Sequence, residues 1–207
     1  MRTATVAVLG LAAACGSSSH EVAPPPAPAE AVAAAAAARA SIVATEQYYD
    51  IDGSSAGALR DQIKRLGPKD ESGKSRDALT VWSIEWHYTA TSRPDGCVLR
   101  DVKVSLNVAV TLPRWKPPAT ASAEVVKAWQ SYVKAVRVHE AGHRAIAERN
   151  ARDVFAALTP LRGMNCDLLL DEASRTAERI VADGRARNRA YDLETKHGQT
   201  QGVVLGP

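Results

Sequence analysis

His139-Glu140-Ala141-Gly142-His143 sets two imidazoles four residues apart with a carboxylate beside the first. On a helix that spacing puts both rings on one face, so they can share one metal ion. Glu140 then stands near the open coordination position, where it can take a proton from a metal-activated water. The chemistry implied is zinc-assisted hydrolysis. The flanks suit a packed helix: Val136, Val138, Ala141, Ala145 and Ile146 supply apolar contacts, and both intervening positions are small.

A catalytic zinc takes three protein ligands and keeps a further position open. The segment Tyr191-Asp192-Leu193-Glu194-Thr195-Lys196-His197-Gly198 offers the third. His197 is the favoured ligand, a neutral imidazole beside a glycine that permits a tight turn. Asp192 is the alternative, either as the ligand itself or as the group that orients a ligand histidine. Tyr191 is a candidate catalytic donor to the oxyanion of a tetrahedral intermediate. Glu178 and Asp183 are further candidates, equally explained as partners of nearby arginines.

These residues need a scaffold. Glu46 to Asp52 reads as a strand, and Ser54 or Ser55 caps a helix that runs to Leu66 and stops at Gly67-Pro68. Leu79 to Ala90 alternates Trp82, Ile84, Trp86 and Tyr88 with more polar residues. Pro94-Asp95-Gly96 signals a turn, and Cys97 to Leu112 returns as a second long strand. Ala121 to Leu158 reads as one long helix or two nearly collinear ones. Thr159 to Asn165 breaks it, and Cys166 to Ala190 is a second long helix running antiparallel to the first. Tyr191 to Pro207 is expected to be irregular. The fold class is α+β: a small antiparallel sheet, made of a long hairpin and a short N-terminal strand, packed with a long antiparallel helix pair. Trp82, Trp86, Trp115 and Trp129 are expected in the core, and His87 on the more polar strand face.

The chain has 207 residues and divides into three parts. Residues 1–15 read as an export signal, with Arg2 ahead of an apolar stretch and Leu11-Ala12-Ala13-Ala14-Cys15 resembling a lipobox whose cysteine is lipidated. Residues 16–44 are a Pro/Ala-rich tether and 45–207 the folded domain. With Cys15 lipidated, Cys97 and Cys166 remain as a pair, which in an exported protein reads as a disulfide. It would close a loop of about 70 residues and stabilise by roughly 4 kcal/mol in the chain-entropy account. The net charge of +3 is spread over helix faces with acidic residues interspersed, and no nucleic-acid motif accompanies it.

Several stretches stand out when taken in order: Tyr49-Asp50-Ile51-Asp52-Gly53, Leu66-Gly67-Pro68, Trp86-His87-Tyr88, and Cys97 with Val102-Lys103-Val104. The rest are Leu112-Pro113-Arg114-Trp115, the His139–His143 pentapeptide, Asn165-Cys166-Asp167, and Tyr191-Asp192 with Thr195 and His197-Gly198. In this order they resemble the bacterial family of predicted secreted zinc-dependent proteases, also known as domain of unknown function 922. The resemblance implies a zinc peptidase with His139 and His143 as ligands and Glu140 as base. It also implies that Tyr191, Asp192 and His197 belong to the site. The expectation is a zinc metallopeptidase of the bacterial envelope, facing the periplasm, anchored in the membrane by lipid at Cys15 and acting on a peptide or protein. Two rivals stand beside it: a non-catalytic zinc-binding envelope lipoprotein, and a hydrolase of cell-wall peptides.

Overall fold

The computed structural model describes residues 40–206, so the signal, Cys15 and most of the tether lie outside the described residues. Four strands and three helices alternate in the order β1 (Ala40–Ile51), α1 (Ala56–Leu66), β2 (Leu79–Arg93), β3 (Gly96–Trp115), α2 (Ala123–Leu158), β4 (Arg162–Gly163) and α3 (Cys166–Thr195). A short 3-10 turn, Gln199–Gln201, follows. The sheet order is β1-β3-β2, with the two-residue β4 paired to the start of β3. The fold class is α+β, with the expected long hairpin and N-terminal strand.

The strand directions follow from the connections. The chain leaves β1 through α1 and enters β2 running the other way; the turn after Arg93 reverses it again. β3 therefore runs antiparallel to β2 and parallel to β1. The parallel pairing had no signal in the sequence. β1 starts at Ala40, inside the stretch that composition reads as tether, because Ala40 to Ala44 find partners at Val104 to Val108. A bulge opposes Tyr88 to both Asp101 and Val102, with Asp101 at φ 51. The bulge sharpens the local twist, and Tyr88 sends its hydroxyl to the carbonyl of Leu170 on α3, 3.3 Å away.

One face of the sheet carries the core. Thr80, Trp82, Ile84, Trp86 and Tyr88 point inward while Val81, Ser83, Glu85 and His87 are exposed, as strand alternation requires. Ser122 caps α2 by accepting from the Val125 N–H, and Glu124 sits in the first turn, where a negative charge suits the helix dipole. The helix then runs 36 residues without a break.

Two apolar clusters lie along α2. Trp129, Tyr132 and Val136 pack with Leu59, Ile63, Leu112 and Trp115, and with Val203 and Leu205 of the C-terminal tail. Further along, Ala147, Ala151, Val154, Phe155 and Leu158 pack against β2, β3 and against Leu169, Ala173 and Ala177 of α3. Burying each of the larger side chains contributes about 1.5–3 kcal/mol. The buried polar residues between the two clusters are His139, Glu140 and His143 of the pentapeptide.

α3 returns antiparallel to α2: Asp192 meets His139, Asn188 meets His143, and Arg187 meets Asn150. Alanines on both helices, and Gly184 against Asn150, let the backbones come close. The Cys97–Cys166 disulfide ties the start of β3 to the first residue of α3, and β4 holds the intervening loop against β3.

Here one expectation is corrected. Tyr191 to Thr195 is the last turn of α3 and not an irregular tail. None of those five residues breaks a helix. The stop comes at Lys196, His197 and Gly198, all three in the left-handed region at φ 50, 54 and 80. The chain then doubles back over α2, burying Val203 and Leu205.

Candidate metal centre

His139 and His143 project from one face of α2, and both, with Glu140, are only 5–6% exposed. Asp192 projects from the facing side of α3. Its Oδ1 lies 3.2 Å from the Nε2 of each histidine, and the two Nε2 atoms are 3.1 Å apart. The three donor atoms thus form a nearly equilateral triangle. Ligands held at about 2.0–2.1 Å in tetrahedral geometry stand about 3.3–3.4 Å from one another, close to these edges.

The hydrogen bonds on the far side of each ring assign its tautomer. His143 Nδ1 lies 2.8 Å from Asn188 Oδ1, and His139 Nδ1 lies 2.9 Å from Gln201 Oε1. Both Nδ1 atoms therefore carry hydrogens that they donate, and both Nε2 atoms present lone pairs to the carboxylate and to each other. Three lone pairs at this separation repel unless positive charge sits among them.

The electrostatics around the cluster point the same way. Burial alone would hold His143 neutral, yet its bonds to Asp192 and Asn188 and the charge of Asp192 raise its pKa. Burial alone would raise Asp192, but the bonds to His139 and His143 hold its carboxyl well below the usual range. The cluster stabilises positive charge at its centre, whether protons or a metal cation. The group His139, His143 and Asp192 can hold a metal ion. The donor set of two imidazoles and a carboxylate suits zinc.

Glu140 leaves α2 on the adjacent side. Its Oε2 accepts a 2.6 Å hydrogen bond from the Thr80 hydroxyl at the start of β2. Burial raises the Glu140 pKa, against that bond and the neighbouring histidines, which lower it. A cavity of about 530 Å³ opens on this side, bordered by His139, Glu140, His143, Asp192, Thr80 and His197.

His197 and Tyr191 occupy different positions. His197 lies on the cavity, 42% exposed, with Nδ1 3.2 Å from Asp192 Oδ1. It neighbours the carboxylate but is not one of the three residues whose donors converge. Tyr191 lies on the packed side. Its ring stacks on His139 at 5.1 Å between centroids and meets His143 edge-on at 5.0 Å. Its hydroxyl donates to the His139 carbonyl at 3.3 Å and accepts from Gln201 Nε2 at 3.0 Å, and the residue does not border the cavity. Gly142 makes room for it: a Cβ there would collide with the tyrosine hydroxyl. Glu178 and Asp183 are exposed on α3 and outside the cluster, as is His87 on β2.

Three further residues shape the site: Thr80, Asn188 and Gln201. Asn188, Tyr191, Asp192 and Thr195 fall at i, i+3, i+4 and i+7, a single polar stripe on α3. That pattern is readable once the helix is extended to Thr195. Thr80 and Gln201 carry no local signal.

The fold and site define a small α+β domain that buries a histidine–histidine–carboxylate cluster beside an open cavity. Residues 46–198 match the family described as "bacterial protein of unknown function (DUF922)", and the chain belongs to that family. No curated protein and no solved structure matches the chain. A disulfide in a bacterial domain suggests an oxidising compartment outside the cytoplasm. Among the described residues no helix is long and apolar enough to cross a membrane.

Proposed function

We propose that this protein is an exported zinc-dependent metallopeptidase, held at the membrane by lipid on Cys15. His139, His143 and Asp192 would hold the metal. The observation that carries the reading is the triangle of three lone-pair donors at 3.1–3.2 Å with Glu140 beside it on an open cavity. Zinc bound there supplies Lewis acidity, polarising a carbonyl and making a nearby water acidic near neutral pH. Glu140 takes the proton of the attacking water and passes it to the leaving amine. Thr80 fixes the carboxylate for that exchange through its 2.6 Å hydrogen bond. His197 is assigned to the developing oxyanion because it lies on the cavity, whereas the hydroxyl of Tyr191 is engaged by the helix backbone and Gln201. Tyr191 positions His139 by stacking.

Substrate alignment has a candidate element. β2 ends the sheet, and its first residues, Leu79 and Thr80, line the cavity. An extended peptide can add to such an edge by main-chain hydrogen bonds. An open cavity on the cluster also favours an enzyme over a structural zinc site, which is closed by protein ligands.

The test is hydrolysis of a mixed-sequence peptide library by the zinc-loaded protein, with Glu140→Gln in parallel. Cleavage by the wild type alone supports the reading and maps the preferred bond. Equal cleavage by both removes Glu140 from the mechanism. Cleavage of purified peptidoglycan but of no library peptide selects the cell-wall hydrolase instead.

A further inference from the structure

The cavity beside the metal cluster is bounded on its other wall by α1 and the loop that leads from it to β2. Four cations line that wall: Arg60, Lys64, Lys74 and Arg76. Two carboxylates accompany them, and both are engaged by the arginines. Arg60 Nη1 is 2.7 Å from Asp77 Oδ2, and Arg76 Nη2 is 2.7 Å from Asp70 Oδ2. Asp77 is itself gripped by the buried Tyr132, whose hydroxyl donates to it at 2.8 Å. Asp70 also accepts from the backbone N–H groups of Ser72 and Lys74. These bonds hold both guanidinium groups at the wall, about three-quarters buried.

Lys64 and Lys74 are different. Both are exposed, and among the described residues neither has a carboxylate within salt-bridge distance. The wall therefore carries two positive charges in excess. It faces a concave space whose far side is the histidine cluster with the carboxylates Glu140 and Asp192, and aliphatic side chains such as Ala78, Val136 and Val203 lie among them. Within a concave space, the side that carries the excess positive charge attracts the anionic end of whatever enters. Charges spread for solubility alone would have no reason to gather in the cavity that also contains Glu140.

We propose that this wall is a carboxylate-binding subsite that makes the protein selective for acidic peptides. The recognised group is a side-chain carboxylate near the scissile bond or the free C-terminus of the peptide. Lys64 and Lys74 supply the attraction, and Arg60 and Arg76 supply a fixed rim. The proposal deepens the peptidase reading, since it takes this cavity as that enzyme's substrate site.

Binding tests it independently of turnover. The zinc-loaded Glu140→Gln protein is titrated by fluorescence anisotropy with labelled peptides in matched pairs. One set exchanges Glu for Gln at each position along an amidated peptide; the other compares free-acid with amide C-termini on a neutral peptide. At least one acid member is expected to bind about tenfold more tightly than its neutral twin, with the advantage shrinking as salt rises. The set in which the preference falls identifies the source of the carboxylate. Adding Lys64→Ala and Lys74→Ala together brings the ratio toward one, Lys64→Glu with Lys74→Glu turns it in favour of a Lys-bearing peptide, and Lys127→Ala, which lies on α2 outside the cavity, leaves it in place. Pairs that all bind equally, no binding by any member, or a preference that survives both double substitutions overturns the subsite. Turnover by the wild type without a charge preference would sink the subsite and spare the peptidase reading. A charge preference in binding with no turnover would do the reverse.

Discussion

The cluster of His139, His143 and Asp192 has two sides built on different principles. Toward α3 and the C-terminal tail it is packed shut. Asn188 and Gln201 accept from the outer nitrogens of His143 and His139, and Tyr191 stacks over His139 in a gap that only Gly142 leaves. Toward β2 and α1 it opens on a cavity, with Glu140, Thr80 and His197 at its edge and a basic wall beyond, where Arg60 and Arg76 are ion-paired and Lys64 and Lys74 are not. On the proposed reading, the division separates the residues that would hold a metal from those that would act on a substrate. The closed side orients donors and assigns tautomers, so its defects should appear as lost metal or lost stability. The open side leaves room for a substrate, so its defects should appear as lost turnover in a protein that still binds metal.

The sharpest way to break that division is Glu140→Gln. Turnover is expected to fall by about 10²–10⁴-fold, with one metal per chain retained by elemental analysis. Loss of metal in this variant would put Glu140 on the holding side and erase the contrast. Asp192→Ala is the converse on the closed side. Metal at a hundredfold excess over its dissociation constant should stabilise the wild type by about 2.7 kcal/mol, read as a rise in melting temperature. The variant should show almost none of that rise; a wild-type response would move the third ligand to His197.

Smaller effects refine the picture. Asn188→Ala and Gln201→Ala each remove the acceptor behind one imidazole, and metal affinity should drop by about 10–100-fold in a competition titration. Asn188→Asp, which keeps an acceptor, should recover most of it. Unchanged affinity in the alanine variants would mean that the tautomers are set by something else. Gly142→Ala forces a methyl group against Tyr191 and should cost about 1–3 kcal/mol in denaturant unfolding. A neutral outcome would show that the tyrosine can move away from the helix.

Much of the scaffold was legible because it rests on local rules. The alternation from Trp82 to Tyr88 marked β2, and the Pro-Asp-Gly turn marked the hairpin. Ser55 caps α1, and Cys97 and Cys166 pair. The parallel seat of β1 was not legible, since the same strand residues can pair on either edge in either direction. Nor was the end of α3, where Tyr191 to Thr195 looks like the start of a tail until Lys196, His197 and Gly198 are seen to take left-handed conformations. That boundary decides the third donor. On a helix, Asp192 shares a face with Asn188 and Thr195, so it meets His139 and His143 directly, while His197 lies past the cap and reaches only the carboxylate.

By itself the amino-acid sequence determined the two histidines and the glutamate, since their spacing on a helix is enough to aim them together. It also determined the hairpin, the helix pair and the disulfide, which follow from periodicity and from cysteine count. Only the tertiary structure decided the third donor, the partners Thr80 and Gln201, and the cavity with its basic wall. These bring together residues as far apart as Arg60 and Val204, and no local pattern encodes a contact over that separation. It is settled by which faces the packed helices and the sheet bury, and which they leave open.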